Sequence, residues 1–450
     1  IDTLRADHVG AYGHAGARTP QIDALAARGA LFREAIAHSP WTGPSHLSIL
    51  TGLLPQSHRA RVNGAPLAGD VPTLADDLRR RGYRTGAFVS GWPLKAEAVR
   101  LASRFERYSE GRLDLVWKPL FEYRSLTLFR YLQNALGRFG VELFFHVERD
   151  AESVTSSASA WLAEVAGEPF FAWVHYYDPH LPYTPPAAYR TEAARAYSGR
   201  ARGLWYELDP AGQAEIVSVR EDLDHMLSLY DAEIAFVDAE IGRLLEAAGR
   251  SAPPAGLLVV VTSDHGEDMG EHDHYFMRDL YESTLRVPLV IVPPASAGIP
   301  ASAIDAQVSL VDLAPTILDL LHVEPERPFD GRSVVGLLEK RPSAAVAPAL
   351  SVLDVERREM RQRSYSVRHE GWKLIHRTPG WNGHWWKRSR NELYDLRTDP
   401  AETRDLSQER PESVARLEAL LRPYVESDGP RSVDLDEEQV RSLRALGYLQ

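Results

Sequence analysis

The 450-residue chain contains no cysteine. That absence removes disulfides, thiolate metal ligands and cysteine nucleophiles together, and it leaves the redox compartment undecided. No apolar run approaches the roughly 20 residues that cross a membrane. Positive charge is not in excess either: 51 Lys and Arg against 63 Asp and Glu leave a formal net charge of −12, so no nucleic-acid partner is expected. The chain starts at Ile1-Asp2-Thr3-Leu4-Arg5 without a Met or a leader. Since this looks like the end of a buried strand, a preceding segment, with any signal peptide or anchor, is expected to be missing. Internal repeats and low-complexity tracts are absent. What is there, 44% hydrophobic and 25% charged residues, is the composition of an ordinary soluble globular protein. Its length suggests one large domain and a smaller one.

Along the chain, apolar patterning and breakers predict helices over 21–29, from Thr42 onward, and over 73–81, 151–165, 216–248 and 312–321. Apolar strands are predicted over 85–89, 169–175, 257–261 and 285–292. This alternation predicts an α/β fold over residues 1–345, with a mostly parallel central sheet flanked by helices. Residues 113–147 interrupt it as a variable amphipathic insertion. It is read either as a helix pair packed on the core, or as a lid or membrane-surface helix through 120–145. Beyond about 345, strand-like runs at 364–368 and 372–376 predict a smaller antiparallel α+β subdomain over 346–425. The turn region between them and 396 carries Trp381, Trp385, Trp386, Lys387, Arg388 and Arg390. Its Trp385-to-Arg388 run either holds a sugar or anionic head group or packs back on its own subdomain. Residues 426–450 form a charged tail with a short helix.

The chemistry gathers at Trp41-Thr42-Gly43-Pro44-Ser45-His46. Pro44 is tolerated only in a first helical turn, so Thr42 is read as an N-cap. Its hydroxyl then sits at the positive end of the helix dipole, where a phosphate or sulfate would bind. Taken alone, the same residue is also a plain structural cap. Asp2, Asp264 and His265 fall where strands end, and strand ends on one sheet edge converge. Two carboxylates, a neutral imidazole and the Thr42 oxygen would make a four-ligand O/N site for one divalent cation. Such an ion would lower the hydroxyl pKa and neutralise charge on the departing group. An isolated Asp-His after a strand also fits a turn cap or a surface pair.

The order of these groups resembles the sulfatase family of the alkaline phosphatase superfamily. Asp2-Thr3-Leu4-Arg5-Ala6-Asp7-His8 with Gly10 and Tyr12-Gly13 is similar to the family's opening metal motif. Thr42-Gly43-Pro44-Ser45-His46, continued by Leu50-Thr51-Gly52, stands at its C-x-P-S-R nucleophile signature. Residues 170–183 resemble the strand and His-bearing loop before the second metal motif, and Thr262-Ser263-Asp264-His265-Gly266-Glu267 matches that motif. Leu280-Tyr281-Glu282, Arg286-Val287-Pro288 and Asp312-Leu313-Ala314-Pro315-Thr316 resemble later core segments. Lys373-Leu374-Ile375 and Glu392-Leu393-Tyr394-Asp395-Leu396, continuing to Asp399-Pro400, resemble the closing subdomain.

The resemblance implies that Asp2, Thr42, Asp264 and His265 bind one divalent metal, with Thr42 as nucleophile. His180 and His175 would contact the substrate or protonate the leaving oxygen. Departures from the pattern bear on the substrate. Sulfatases convert the signature cysteine or serine to formylglycine, whose hydrate expels sulfate by collapsing to the aldehyde. Thr42 cannot be converted, so no formylglycine is expected, and release needs attack on phosphorus or sulfur by water or another alcohol. Phosphate diesters or phosphonate monoesters are therefore favoured. The alternatives are a sulfuric ester hydrolase, a phosphoalcohol transferase, and a degenerate protein that only binds an anionic glycan or lipid. Thr3 replaces the family's second Asp and His265 a frequent Asn, which leans from calcium toward manganese, zinc or magnesium. His46 replaces the signature arginine and could still hydrogen-bond near Thr42, while Met277 replaces a usual lysine. Arg278, His272 or His274 would supply the missing donor to the substrate, a small-molecule, glycan or lipid ester. A second metal would need a further carboxylate and two histidines, and the sequence assigns none. Relatives are often exported, so a periplasmic or membrane-associated location is expected.

Overall fold

The computed structural model describes residues 1–111, 148–199, 201, 216, 218–253, 255–273, 279–341, 346–357, 360–378 and 389–427. The 113–147 insertion, its 120–145 stretch, His274, Met277, Arg278, Trp381, Trp385 to Arg388 and nearly all of the tail lie outside them. Among the described residues the larger part has the strands β1 (Ala30–Ile36), β2 (Arg84–Phe88), β3 (Arg107–Ser109), β4 (Phe170–Val174), β5 (Val259–Thr262), β6 (Arg286–Val292), β7 (Ser302–Ile304) and β8 (Val308–Ser309). They form two sheets. One has the order β5-β6-β1-β7, with β8 also on β1, and only β6 runs against the other four strands. The second, β3-β2-β4, is wholly parallel. The Ile1–Asp2 backbone joins them, since Ile1 N donates to Thr262 O at the end of β5 and Asp2 N to Tyr176 O beyond β4. Asp2 is therefore placed where both sheets end.

The longer helices here are α1 (Pro20–Arg28), α2 (Thr42–Thr51), α3 (Leu74–Arg80), α4 (Ala151–Glu164), α5 (Arg220–Ser251) and α6 (Leu313–Leu320). Thr73 and Asp76 form a capping box at the start of α3, and Asp150 caps α4 by accepting from Ser153 N. The 32 residues of α5 reach about 48 Å. Met226, Leu229, Tyr230, Val237 and Ile241 recur at helical spacing on its buried face, against Val154, Ala158 and Trp161 of α4. No described helix is long and apolar enough to cross a membrane.

β1 lies at the centre of the larger sheet yet is not predicted by the residue pattern, because Arg33 and Glu34 interrupt its apolar run. The structure resolves the conflict with a bulge. Its register against β6 shifts between Phe32 and Ala35, so Arg33 turns outward while Phe32, Ala35 and Ile36 stay buried.

A four-stranded antiparallel sheet follows: β9 (Ala349–Arg357), β10 (Met360–His369), β11 (Trp372–Arg377) and β12 (Arg390–Asp395). Neighbouring residues face opposite ways, as the period of two requires. Val352, Leu374 and Leu393 pack under α7 (Pro411–Glu426), against Leu417 and Leu421. Leu353, Ile375 and Tyr394 face the larger sheet and join Ile36 and Leu289 in one core. Buried charges lock the interface in pairs, Lys373 with Glu282 and Glu402 at 3.1 and 2.8 Å, and Arg377 with Asp279 at 2.8 Å.

His38 sits in the same interface. Its Nδ1 donates to Leu350 O at 2.7 Å and its Nε2 accepts from Val311 N–H at 3.1 Å. Burial pushes its pKa down from 6.5 to about 4. Between those values the unfolded chain binds the extra proton, so the stability contributed by neutral His38 is complete above the unfolded pKa and is lost as pH falls toward the folded one. His38→Asn is expected to flatten the fall in urea-unfolding free energy between pH 6.5 and pH 4 by about 1.4 kcal/mol per pH unit. An unaltered slope in the variant would rule out this source of acid sensitivity.

Candidate metal centre and nucleophile

The centre is built from three backbone turns tied to one another. Asp264 and His265 follow β5 directly. The Ser263 hydroxyl accepts from Leu4 N at 2.9 Å and lies 2.7 Å from the carbonyls of Ile1 and His265. Thr3 N donates to Asp264 Oδ1, and the Tyr230 hydroxyl on α5 bridges Thr3 O and Arg5 N. Thr3 itself adopts φ 53, a left-handed turn that carries the chain past Asp2. The first turn of α2 is latched to the same place, because Ser45 Oγ donates to Asp264 O at 2.6 Å.

These ties leave a set of polar atoms aimed inward. Asp2, Asp264 and His265 are fully buried and bring one ligand atom each within 4.8 Å of the others. The His265 Nδ1–H donates to Gly266 O, so Nε2 carries its lone pair inward, 3.5 Å from Asp264 Oδ2 and 3.8 Å from Asp2 Oδ1. Both Asp2 oxygens, Asp264 Oδ2, His265 Nε2 and Thr42 Oγ1 have no hydrogen-bond partner of good geometry. Burial, and then the neighbouring Asp264 charge, push the Asp2 carboxyl well above its usual range. Two buried carboxylates with unsatisfied oxygens are costly unless a cation lies between them. The donor set fits a divalent ion of O/N preference.

Thr42 differs from its expected place by one position. Trp41 is the N-cap, in extended conformation, and Thr42 is the first residue inside α2. The N-cap residue itself makes no side-chain capping bond. The Thr42 hydroxyl is thus not spent on a backbone N–H, and it sits against the Asp2 carboxylate. The task of holding the helix start falls instead to Asn63, whose Oδ1 accepts from Gly43 N at 2.8 Å while its buried Nδ2 has no partner. Asn63 was not predicted. In the sequence it sits in Val62-Asn63-Gly64, which looks like an ordinary turn.

Two of the other predicted histidines join the centre. His175 Nε2 is 3.2 Å from Asp2 Oδ2 and its Nδ1 donates to Ser90 O. His46 stands edge-on to it, with ring centroids 4.8 Å apart, and its Nε2 is 3.6 Å from Asp264 Oδ2. His180 is buried beyond them, its Nδ1 donating to Leu181 O and its ring stacked on Tyr177 at 4.4 Å. Burial lowers all three, to about 3 for His175 and His180 and well below the usual value for His46. They are therefore neutral near pH 7. The His272 ring stacks on Tyr281 with centroids 3.8 Å apart. Arg278 and His274 lie outside the described residues.

The fold and this centre define an α/β ester hydrolase of the alkaline-phosphatase type. Residues 1–323 match the family model named Sulfatase, and residues 270–424 match N-sulphoglucosamine sulphohydrolase, C-terminal. The chain belongs to the sulfatase family of the alkaline phosphatase superfamily, whose enzymes are generally dependent on divalent metal. It is similar to arylsulfatase K of Xenopus laevis, 24% identical over 90% of this chain and 78% of the relative. The choline-sulfatase of Rhizobium meliloti is 26% identical over 86% and 77%. Among solved structures, the phosphonate monoester hydrolase of Silicibacter pomeroyi superposes with a TM-score of 0.72 at 24% identity, covering 95% of this chain and 93% of that one.

Proposed function

We propose that the protein hydrolyses phosphate diesters or phosphonate monoesters with Thr42 Oγ1 as the nucleophile. The observation that carries this reading is the state of that hydroxyl: buried, free of any capping bond, and beside the Asp2 carboxylate at the positive end of α2. Asp2, Thr42, Asp264 and His265 would hold a manganese, zinc, magnesium or calcium ion, which would supply positive charge to acidify the hydroxyl and offset charge on the reacting group.

Oγ1 forms its bond to phosphorus as the bond to the leaving alcohol oxygen breaks. In their neutral forms His175 and His180 keep the proton on Nδ1, donated to a carbonyl, so one of the two Nε2 atoms takes up the single Thr42 proton and returns it to the departing oxygen. His46 serves as a neutral partner for the substrate's oxygens. A threonine ester has no aldehyde to collapse to, so the second step needs attack by water on the esterified phosphorus, which breaks its bond to Oγ1 and returns a proton from the water to Thr42. Displacement at phosphorus is served by positioning and electrostatics, which this buried centre offers. The phosphorus preference rests on the residue type at position 42. The esterified alcohol is a small molecule, a glycan or a lipid.

A second reading, sulfuric ester hydrolysis, has in its favour that both sequence relatives are named as sulfatases. A panel of an aryl phosphate diester, a phosphonate monoester, a phosphate monoester and an aryl sulfate, each assayed with manganese, zinc, magnesium and calcium, separates the two. The diester or phosphonate is expected to give the highest kcat/KM. A higher value for the aryl sulfate would overturn the proposal in favour of the second reading.

A further inference from the structure

The opening segment meets α5 again at a second cluster, more open to solvent than the Asp2 centre. His8 ends the 3-10 turn Ala6–His8, and its Nδ1 lies 2.7 Å from Asp231 Oδ1 on α5. Gly13 then takes φ 101, a left-handed turn that brings the chain back. His14 follows it, and its ring stacks on His8 with centroids 5.2 Å apart. The far side of His8 rests edge-on against Tyr230. One ligand atom from each of His8, His14 and Asp231 lies within 4.8 Å of the others, and all three residues are half-buried.

A His–Asp pair alone would need only one imidazole. Here a second imidazole is stacked on the pair by the left-handed turn at Gly13, and among the described residues its ring makes no hydrogen bond. Two imidazoles and a carboxylate are the donor set of zinc and its neighbours, with positions left for water. Bond lengths near 2.0–2.2 Å ask the three ligand atoms to close in, which side-chain rotation at the partly exposed His14 and Asp231 can provide. The cluster is only partly buried, so solvent reaches its ligand atoms.

We propose that His8, His14 and Asp231 form a second divalent-metal site of zinc type, separate from Asp2, Asp264 and His265. Its consequence is mechanical. Asp231 follows Tyr230, whose hydroxyl bridges Thr3 O and Arg5 N at 2.7 and 3.0 Å. A metal joining Asp231 to His8 and His14 clamps both the start and the end of the opening segment to α5, and so holds Asp2 in place. The three residues are positioning residues and take no part in the reaction.

The test is metal stoichiometry on the untagged full chain, stripped with chelator, titrated with zinc by calorimetry and checked by elemental analysis. The wild type is expected to hold two equivalents, Asp264→Asn one, His14→Ala one, and the double variant none. Asp231→Asn, which keeps a hydrogen-bonding partner for His8, gives an independent arm with one equivalent expected. Loading with cobalt adds a spectroscopic readout: the visible absorption remaining in Asp264→Asn is expected to vanish when His14→Ala is added. A single equivalent in the wild type, or two equivalents kept by folded His14→Ala and Asp231→Asn, overturns the proposal. Neither result bears on the Thr42 chemistry, which rests on the other centre.

Discussion

Thr42→Ala is expected to lower kcat/KM for the best phosphorus ester by on the order of 10⁴-fold or more while leaving the fold intact, because losing an enzyme's nucleophile removes the covalent route altogether. The structural cost is small. The hydroxyl makes no hydrogen bond of good geometry, its polar neighbour being the Asp2 carboxylate, and the side chain is not the cap of α2. Removing its methyl and hydroxyl from a buried site costs about 1 kcal/mol at most by comparison with other small core truncations. Circular dichroism and the melting temperature should therefore stay close to the wild type. Thr42→Ser keeps an oxygen in the same place and is expected to retain measurable turnover. The contrast between the two variants separates chemistry from packing. Undiminished turnover in folded Thr42→Ala would sink the nucleophile assignment, and Asp2 and its neighbours would then be a binding centre only.

Asp264→Asn should cost one equivalent of bound divalent metal per chain and take activity below detection. Its carboxylate spends Oδ1 on the backbone of Thr3 and His265 and leaves Oδ2 for the centre. The amide loses the charge that a divalent ion needs and can turn a donor toward it. The variant should also report on the metal-free state. There the wild type buries two carboxylates, and burial first, then their mutual repulsion, holds the Asp2 carboxyl up. Replacing one by an amide relieves the repulsion, so stripped Asp264→Asn is expected to melt no lower than the stripped wild type. Metal returned to the wild type at 100 times its dissociation constant adds about 2.7 kcal/mol per site, a contribution the variant forfeits at this centre. Full metal content in the variant would show that the ion is held elsewhere.

Much of the fold was legible in the residue pattern. The alternation of apolar strands with amphipathic helices gave the α/β class. The long helix was predicted over 216–248 and runs from Arg220 to Ser251, because its apolar spacing is sustained without a breaker. β1 shows where pattern reading ends. Its two charged residues look like a loop in sequence, and only pairing with β6 on one side and β7 on the other makes a bulged central strand the lower-energy choice. Thr42 was found by its neighbours but placed one residue off, since Pro44 fixes a first turn without fixing which residue caps it. His175 and His180 were expected from the resemblance to contact the substrate, yet their protonation depends on burial and on the carbonyls of Ser90 and Leu181, which no local pattern reveals.

By itself the sequence determined the class of fold, the family, and which residue types stand at positions 2, 42, 264 and 265. These are properties of residue type, order and periodicity, which survive without coordinates. The tertiary structure alone decided which atoms remain unsatisfied. Asp2, Thr42, Asn63 and Asp264 each spend or withhold hydrogen bonds according to backbone neighbours up to 261 positions away. It also decided that His8, His14 and Asp231 meet, because a left-handed turn at Gly13 and the packing of α5 on the opening segment bring together side chains that sequence spacing keeps apart.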